Sequence, residues 1–243
     1  MFMRSEKPNG ILVVNKPKGI TSHDVVNSVR RVFGIKRVGH AGTLDPAATG
    51  VLIILVGSAT KLSGQLMTDE KAYRACVRFG IYTDTQDSTG RILRTGEVKF
   101  RAEDLESCLL SFLGPGEQIP PMYSALRHKG KRLYKLARRG IEVERKPRRI
   151  FIRSIGMTRF ESPFATIEVT CSKGTYIRQL CADIGERLGC PAHMAELERL
   201  RSGAFGMDGA IDFEIIRKND PGLLASMLIK EIPLTRRKGT GTS

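Results

Sequence analysis

Hydrophobic and polar residues follow two different periods along the chain, and each period predicts a type of element. Short apolar runs at Ile11–Asn15 and Val51–Val56 predict buried strands. Apolar residues alternate with polar ones over Lys71–Ile81, which predicts a strand with one buried face that carries Tyr73. The remaining predicted strands are Arg149–Arg159, Phe164–Cys171 and Glu196–Arg201.

Helical spacing of apolar residues appears in four segments. The first predicted helix has Thr21 or Ser22 as its N-cap and ends at Gly34. The other three predicted helices are Ala102–Leu113, Lys131–Arg139 and Thr175–Leu188. Adjacent strand pairs with interspersed helices, and without regular βαβ alternation, predict an α+β fold with a largely antiparallel mixed sheet and flanking helices. The pattern predicts one domain over residues 1–235 and a basic, disordered tail over residues 236–243.

The charge of the chain indicates a polyanionic partner. The sequence has 40 Lys and Arg against 25 Asp and Glu, which gives a net charge of +15. The excess is concentrated, because residues 127–153 contain twelve Lys or Arg and only two Glu. Such a concentration repels itself unless a polyanion meets it, so a nucleic acid is the expected partner.

Other features of the composition exclude several classes of protein. No apolar run approaches the length of a membrane span, and the N-terminal residues lack the apolar stretch of a signal peptide, so we expect a cytoplasmic protein without membrane contact. The five cysteines form no C-x-x-C pair and the four histidines are isolated, so no metal site is expected. Nothing in the sequence demands more than a monomer.

One glycine-rich segment holds the candidate chemistry. The sequence GHAGTLDPAATG at Gly39–Gly50 places a histidine and an aspartate among three glycines, between two structured stretches. Asp45 precedes a proline, which disfavours the helical region and keeps its backbone extended. The spacing is not that of a phosphate-binding loop. On local sequence alone, this segment is typical of a turn with a polar aspartate.

Several segments, taken in order, resemble the bacterial tRNA pseudouridine synthase B (TruB) family. They are GILVVNKPKGITSHDVV, GHAGTLDPAATGVLIILVG, KAYRACVRFG, PMYSALRHKGKRLYKLARRG, CSKGTYIRQLCADIGERLG and LERLRSGAF. The resemblance implies a pseudouridine synthase fold with a basic active-site cleft. It implies an enzyme that isomerises the uridine at position 55, in the T-loop of tRNA, by flipping the base. It also implies a short form of the family without the C-terminal PUA domain of many relatives.

The resemblance implies a role for individual residues. Asp45 corresponds to the catalytic aspartate, Tyr73 to the tyrosine that stacks on the target base, and Arg178 to the arginine that pairs with the aspartate. His40 corresponds to the histidine associated with opening of the T-loop, and Lys61 to a basic residue near the site.

The segment LERLRSGAF matches the part of the family that lines the uracil pocket. Leu197 or Leu200 is therefore expected to contact the base. Eight residues of the basic stretch are expected to contact the backbone of the T-arm stem-loop: Arg127, Lys129, Lys131, Arg132, Arg138, Arg139, Arg148 and Arg149.

The implied reaction requires a carboxylate but no cofactor. Pseudouridine formation breaks the bond between ribose C1′ and N1 of uracil, turns the base and joins C1′ to C5, without redox change. Asp45 either attacks C1′ or abstracts a ribose proton, and both roles stay open. A buried carboxylate stays charged most readily beside a cation, which is the part implied for Arg178.

Two other functions compete with the isomerase. In the first, the protein is an RNA-binding module whose base flipping serves refolding of the RNA. In the second, it is an aspartate-dependent hydrolase that acts on nucleotides. Substitution of Asp45 distinguishes the first of these from the isomerase, and the mass of the product distinguishes the second.

Overall fold

The computed structural model describes residues 7–67 and 69–230, which form two compact units. The first unit runs up to Lys71 and resumes at Glu198, and the second consists of Ala72–Leu197. The strands are β1 (Gly10–Lys16), β2 (Val38–His40), β3 (Thr49–Val56), β4 (Lys71–Phe79), β5 (Ile81–Thr83), β6 (Ile92–Thr95), β7 (Gly114–Gln118), β8 (Arg127–His128), β9 (Lys131–Arg132), β10 (Arg148–Glu161), β11 (Phe164–Cys171), β12 (Ala192–Ser202), β13 (Phe205–Gly206) and β14 (Ile211–Asp212). The helices are α1 (Ser22–Phe33), α2 (Ser63–Leu66), α3 (Ala102–Leu110), α4 (Leu133–Ala137), α5 (Ile177–Arg187), α6 (Phe213–Arg217) and α7 (Pro221–Ser226), with 3-10 turns at Gly57–Leu62 and Met207–Gly209.

In the first unit, β3 is the central strand. It pairs with antiparallel β1 on one edge, and with β2 and the end of β12 on the other. Every residue of β3 after Thr49 is buried, which explains why this strand appears in the sequence as a continuous apolar run. The two strands predicted in this unit, Ile11–Asn15 and Val51–Val56, are confirmed, each slightly longer than predicted.

Helix α1 is confirmed together with its two ends. Thr21 is the N-cap, and its side chain accepts a hydrogen bond from the backbone of Asp24, whose carboxylate binds the Thr21 backbone in return. Gly34 ends the helix in the left-handed conformation, at φ 63°. Ser22, the other predicted cap, lies inside the helix and is buried, so its hydroxyl serves another contact.

In the second unit, the strand order is β12-β4-β11-β10-β7, and β10 pairs antiparallel with both β11 and β7. The alternation predicted for β4 is confirmed, because Ala75, Val77 and Phe79 are buried while Arg74 is exposed. Helix α5 buries Ile177 among other residues of its apolar stripe. Most strand pairs in both units are antiparallel, so the predicted α+β class is confirmed.

The basic stretch differs from its predicted structure. The prediction of a helix over Lys131–Arg139 is wrong at its start, because Arg127–His128 and Lys131–Arg132 first pair as a hairpin. Lys129 and Gly130 form its turn, with φ angles of 46° and 80°. The helix follows only at α4. The hairpin depends on backbone pairing across this turn, which leaves little trace in the hydrophobic pattern.

Other boundaries differ less. Helix α3 ends at Leu110, and the three residues that follow continue only as single turns. No helix among residues 7–67 and 69–230 has the length and apolarity needed to cross a membrane. The predicted tail at residues 236–243 lies outside the described residues, and the single domain over residues 1–235 stays a prediction.

Candidate active site

The loop of residues 41–48 connects β2 to β3 and carries Asp45, and we call it the Asp45 loop. Both neighbours of Asp45 are hydrogen-bonded to side chains at the end of β1 and the start of α1. The Ser22 hydroxyl donates to the carbonyl oxygen of Leu44 at 3.1 Å and accepts from the Leu44 amide at 2.9 Å. The Lys16 ammonium donates to the carbonyl oxygen of Pro46 at 3.4 Å. Asp45 is half-buried, so its backbone is fixed while its side chain keeps access to solvent.

Lys16 is a fully buried cation beside this loop. Its ammonium also donates to the carbonyl oxygens of Pro17, at 2.8 Å, and Ile20, at 2.9 Å. Burial lowers the pKa of Lys16 to about 8, while the negative charge of Asp45 opposes that shift and the positive charge of Arg199 adds to it. Lys16 therefore remains mostly protonated at neutral pH, with its charge directed at the Asp45 loop.

Arg199 is a second buried cation, with 1% of its surface exposed. Its Nε donates to the carbonyl oxygen of Val51 at 2.6 Å, and its Nη2 donates to the carbonyl oxygen of Gly42 at 3.2 Å. The backbone of Arg199 lies against Gly50, where a Cβ would come within 2.3 Å of the Arg199 carbonyl oxygen. Gly50 also has a φ of 97°, so this position requires glycine both for space and for conformation.

Lys16 and Arg199 are the functional candidates that the sequence analysis missed. The sequence around Lys16 indicates only the end of a strand. Arg199 shares its strand face with Leu197, and a charged residue at a buried position of an alternating strand is a signal that could have identified it.

His40 ends β2, immediately before the Asp45 loop, and is half-buried. Burial lowers the pKa of His40, and the charges of Arg199 and His23 lower it further, so the imidazole is neutral at neutral pH. Its Nδ1 is buried without a hydrogen-bond partner among the described residues. Lys61 lies in the turn Gly57–Leu62 of the same unit, and its side chain is exposed.

Arg178, in the second unit, is a buried arginine in the first turn of α5, with 6% of its surface exposed. Its guanidinium donates to the carbonyl oxygens of Thr85, at 3.1 Å, and Tyr123, at 2.8 Å. Its Nη1 lies 3.6 Å from the Oδ2 atom of Asp87. Arg178 is therefore not an ordinary surface residue of a helix. Its predicted pairing with Asp45 stays a prediction.

Asp87 is a buried carboxylate that the sequence analysis did not single out. It accepts hydrogen bonds from the hydroxyls of Thr85, at 2.7 Å, and Thr89, at 2.6 Å. These bonds fix the carboxylate beside Arg178. At the start of α5, the Gln118 side chain exchanges two hydrogen bonds with the backbone of Tyr176, so the turn before Arg178 is also held in place.

The predicted base-contacting residues are in different settings. Tyr73 is partly exposed near the start of β4. Leu197 is buried, with 9% of its surface exposed, whereas Leu200 is partly exposed. Because successive side chains of a strand point to opposite faces, these two leucines lie on opposite faces of β12. A base lying against one face of β12 can therefore contact only one of these two leucines.

The eight predicted RNA-contacting residues are all exposed in the second unit. They lie on β8 and β9, on the turn between these strands, just after α4 and at the start of β10. In the described part of the chain, none of the eight forms an ion pair with an acidic residue. Leu133 and Leu136 bury the apolar side of α4, so the hairpin and α4 present their charges outward.

No group of three or more potential metal ligands is placed together within residues 7–67 and 69–230.

Comparison with known proteins identifies the family. A model of the TruB family pseudouridylate synthase N-terminal domain matches residues 30–177, and a model of the tRNA pseudouridylate synthase B C-terminal domain matches residues 178–220. The chain belongs to the TruB family of pseudouridylate synthases. This confirms the predicted family and enzyme class, an RNA-uridine isomerase.

TruB relatives are similar over most of the chain. The tRNA pseudouridine synthase B of Syntrophotalea carbinolica is 49% identical over 232 residues, which is 93% of this chain and 76% of that protein. The tRNA pseudouridine synthase B of Clostridium kluyveri is 50% identical over 208 residues, which is 86% of this chain and 72% of that protein.

The family models confirm the predicted pseudouridine synthase fold, and a solved structure has a similar fold. A crystal structure of a Cbf5-Nop10-Gar1 complex contains a chain that is 29% identical, with a TM-score of 0.68. The match covers 85% of this chain, and it spans about half of the other, at 53%.

Proposed function

We propose that this protein isomerises the uridine at position 55 in the T-loop of tRNA, with Asp45 as the essential carboxylate. The observation that carries the proposal is the setting of Asp45, which lies between two residues held by the buried side chains of Ser22 and Lys16. A carboxylate on a fixed backbone needs little reorganisation when a substrate arrives. The choice of position 55 rests on the family resemblance.

The reaction rearranges the uridine without loss of heavy atoms. The bond between C1′ and N1 breaks, the uracil turns, and C1′ joins C5, so that C5 loses a proton and N1 gains one. Asp45 acts either as the nucleophile at C1′ or as the base that removes a ribose proton to give a glycal. In both routes the detached base has to be held, which is the function we assign to Tyr73 and to one of Leu197 and Leu200. We assign Arg178 to keeping the Asp45 carboxylate charged.

The energy of base flipping indicates a need for more than one contact. Extrusion of a base costs a few kcal/mol, and stacking on an aromatic ring such as Tyr73 returns about 1–3 kcal/mol. We assign the remaining stabilisation in part to His40, which is neutral and therefore can occupy the gap in the T-loop without a charge to desolvate. Lys61 is assigned to a phosphate near the site.

Turnover of a tritiated substrate tests this function. Wild type is expected to release tritium from a T-arm stem-loop with 5-³H-uridine at position 55, and Asp45→Asn is expected to bind the stem-loop without releasing tritium. Asp208→Asn, which changes an exposed acid of the same unit, serves as the control and is expected to keep full activity. Turnover by Asp45→Asn would contradict the proposal. Free uracil as the product would indicate a hydrolase. An RNA-folding module would be indicated if wild type released no tritium and Asp45→Asn refolded RNA as well as wild type.

The basic stretch supplies the affinity for the T-arm in this proposal. If about six of its residues neutralise phosphates, log K is expected to fall against log salt with a slope of roughly −4 to −5. A variant with alanine at Lys129, Lys131, Arg132 and Arg139 is expected to weaken binding and to flatten that slope.

A matched control for this variant changes four other exposed basic residues, each within 4.0 Å of an acidic partner: Lys99, Arg101, Arg159 and Arg217. These alanine substitutions are expected to leave the slope nearly unchanged. Equal slopes for the two variants would show that the basic stretch is not the RNA-binding surface.

We also propose that the enzyme acts as a monomer in the cytoplasm. Light scattering of the free protein tests whether it is a monomer.

A further inference from the structure

One buried side chain, that of Arg199, connects the start of the Asp45 loop to strand β3. Gly42 lies three residues before Asp45, and Val51 lies beyond the end of the loop, on β3. The Arg199 guanidinium donates to the carbonyl oxygens of both, at 3.2 Å and 2.6 Å.

A buried arginine in this position needs an explanation. Removing a cation from water costs several kcal/mol unless hydrogen bonds replace its hydration. Arg199 is 1% exposed, and its guanidinium donates hydrogen bonds to two backbone carbonyls. A planar guanidinium presents several N–H groups at fixed angles, so it can hold two carbonyls at a set separation, whereas a lysine ammonium cannot reproduce that fork.

The backbone of Arg199 is held in place by its pairing with β3. Arg199 pairs with Gly50 in the parallel register between β12 and β3. Its backbone approaches Gly50 so closely that a Cβ would lie 2.3 Å from the Arg199 carbonyl oxygen. The guanidinium therefore reaches the loop from a backbone that cannot shift without disturbing β3.

We propose that Arg199 is a positioning residue of the isomerase, which fixes the place of the Asp45 carboxylate by tying the start of the Asp45 loop to β3. Arg199 acts through the loop backbone and is not itself a catalytic residue. This inference rests on the proposed function of Asp45.

The charge of Arg199 has a second, separable effect. It lowers the pKa of His40, together with burial and His23. Burial is the main cause of the lowered pKa of Lys16, and the charge of Arg199 lowers that pKa further. The negative charges of Asp45 and Asp24 oppose this shift. A substitution that keeps the charge but loses the fork therefore separates positioning from electrostatics.

Two variants of Arg199 and a matched control test the proposal. Arg199→Lys keeps the charge, and Arg199→Met removes it. Arg217→Lys is the control, because Arg217 lies on α6 of the same unit, is exposed, and pairs with Glu214 at 3.0 Å. The measurements are single-turnover tritium release, stem-loop affinity, amide hydrogen exchange of Leu44 and Ala48, and the NMR titration midpoint of His40.

For Arg199→Lys we expect a single-turnover rate about 10- to 100-fold below that of the control, with the affinity changed less than about threefold. The Leu44 and Ala48 amides are expected to exchange faster, while the His40 midpoint stays unchanged. For Arg199→Met we expect the same loss of rate together with a higher His40 midpoint, because a neighbouring positive charge has been removed.

The proposal is overturned if Arg199→Lys reacts as fast as Arg217→Lys, or if its rate falls while the loop amides exchange as in wild type. It is also overturned if Arg199→Lys does not fold, because Arg199 would then support the whole unit and not the loop. Turnover by Asp45→Asn would remove the proposed function instead, and the exchange measurements would still report on the tether.

Discussion

Replacement of Ser22 by alanine tests how firmly the Asp45 loop is held. The Ser22 hydroxyl is buried and makes two hydrogen bonds with the backbone of Leu44, one as donor and one as acceptor. In Ser22→Ala, both the amide and the carbonyl of Leu44 lose their partner without gaining water. A buried polar group left unpaired costs about 1–3 kcal/mol, so for these two groups we expect the free energy of unfolding to fall by about 2–6 kcal/mol.

The matched control lies on the same helix. The hydroxyl of Ser28 donates to the Asp24 carbonyl oxygen, one turn back in α1, at 3.0 Å and near solvent. Alanine at this position removes no partner of a buried group and is a better helix former, so Ser28→Ala is expected to change stability by less than about 0.5 kcal/mol. The difference between the two variants isolates the contact with the Asp45 loop.

Urea denaturation measures the stability, and amide exchange locates its origin. Ser22→Ala is expected to shift the unfolding midpoint with an unchanged slope, and to expose the Leu44 amide to exchange. If Ser22→Ala and Ser28→Ala unfold at the same urea concentration, the two bonds to Leu44 contribute nothing, and the reasoning about a held loop is refuted.

Three further predictions concern buried charges and one close backbone contact. First, burial lowers the pKa of Lys16 to about 8, so between pH 8 and about 10.5 the folded state binds fewer protons than the unfolded state, and stability rises with pH. In urea denaturation, wild type is expected to gain about 3 kcal/mol of stability relative to Lys16→Met across this pH range. A stability difference between the two proteins that does not change with pH would contradict this prediction. Second, Gly50→Ala is expected to lower the melting temperature far more than Gly19→Ala. Both positions have a positive φ, but only at Gly50 would the added Cβ come within 3.0 Å of other backbone atoms. Similar losses for the two variants would show that the strain of the positive φ alone matters. Third, Asp87→Asn leaves the buried Arg178 without its nearby carboxylate, so the free energy of unfolding in denaturant is expected to fall by about 3 kcal/mol. An unchanged unfolding midpoint would mean that the ion pair at 3.6 Å adds no stability.

The local elements of the fold were predictable from the sequence because their causes are local. The valines of α1 recur at helical spacing, and Thr21 and Gly34 supply its ends within the same segment. Strand β3 is buried along almost its whole length, so its apolar run is unambiguous. The hairpin of β8 and β9 was not predicted, because a left-handed Lys129 before Gly130 is set by pairing of the flanking strands.

The candidate site was predictable only in part. Asp45 came from the family resemblance, since its own segment is typical of a turn. Arg199 was missed because its partner Val51 lies 148 positions away in the sequence, and because a backbone carbonyl acceptor has no signature in residue type. The same holds for Lys16, which binds Pro46 across 30 positions. Contacts of this kind exist only once the chain has folded.

The first unit is built from two separate pieces of chain, and this has a consequence for biosynthesis. The second unit is one continuous stretch, Ala72–Leu197, and it leaves the ribosome complete before Arg199 does. At translation rates of about 5–20 residues per second, the 148 positions between Val51 and Arg199 take roughly 7 to 30 seconds to synthesise. Until then the nascent polypeptide has the aspartate but lacks the arginine that tethers it, so a chain interrupted before that codon would be released without a properly formed catalytic loop.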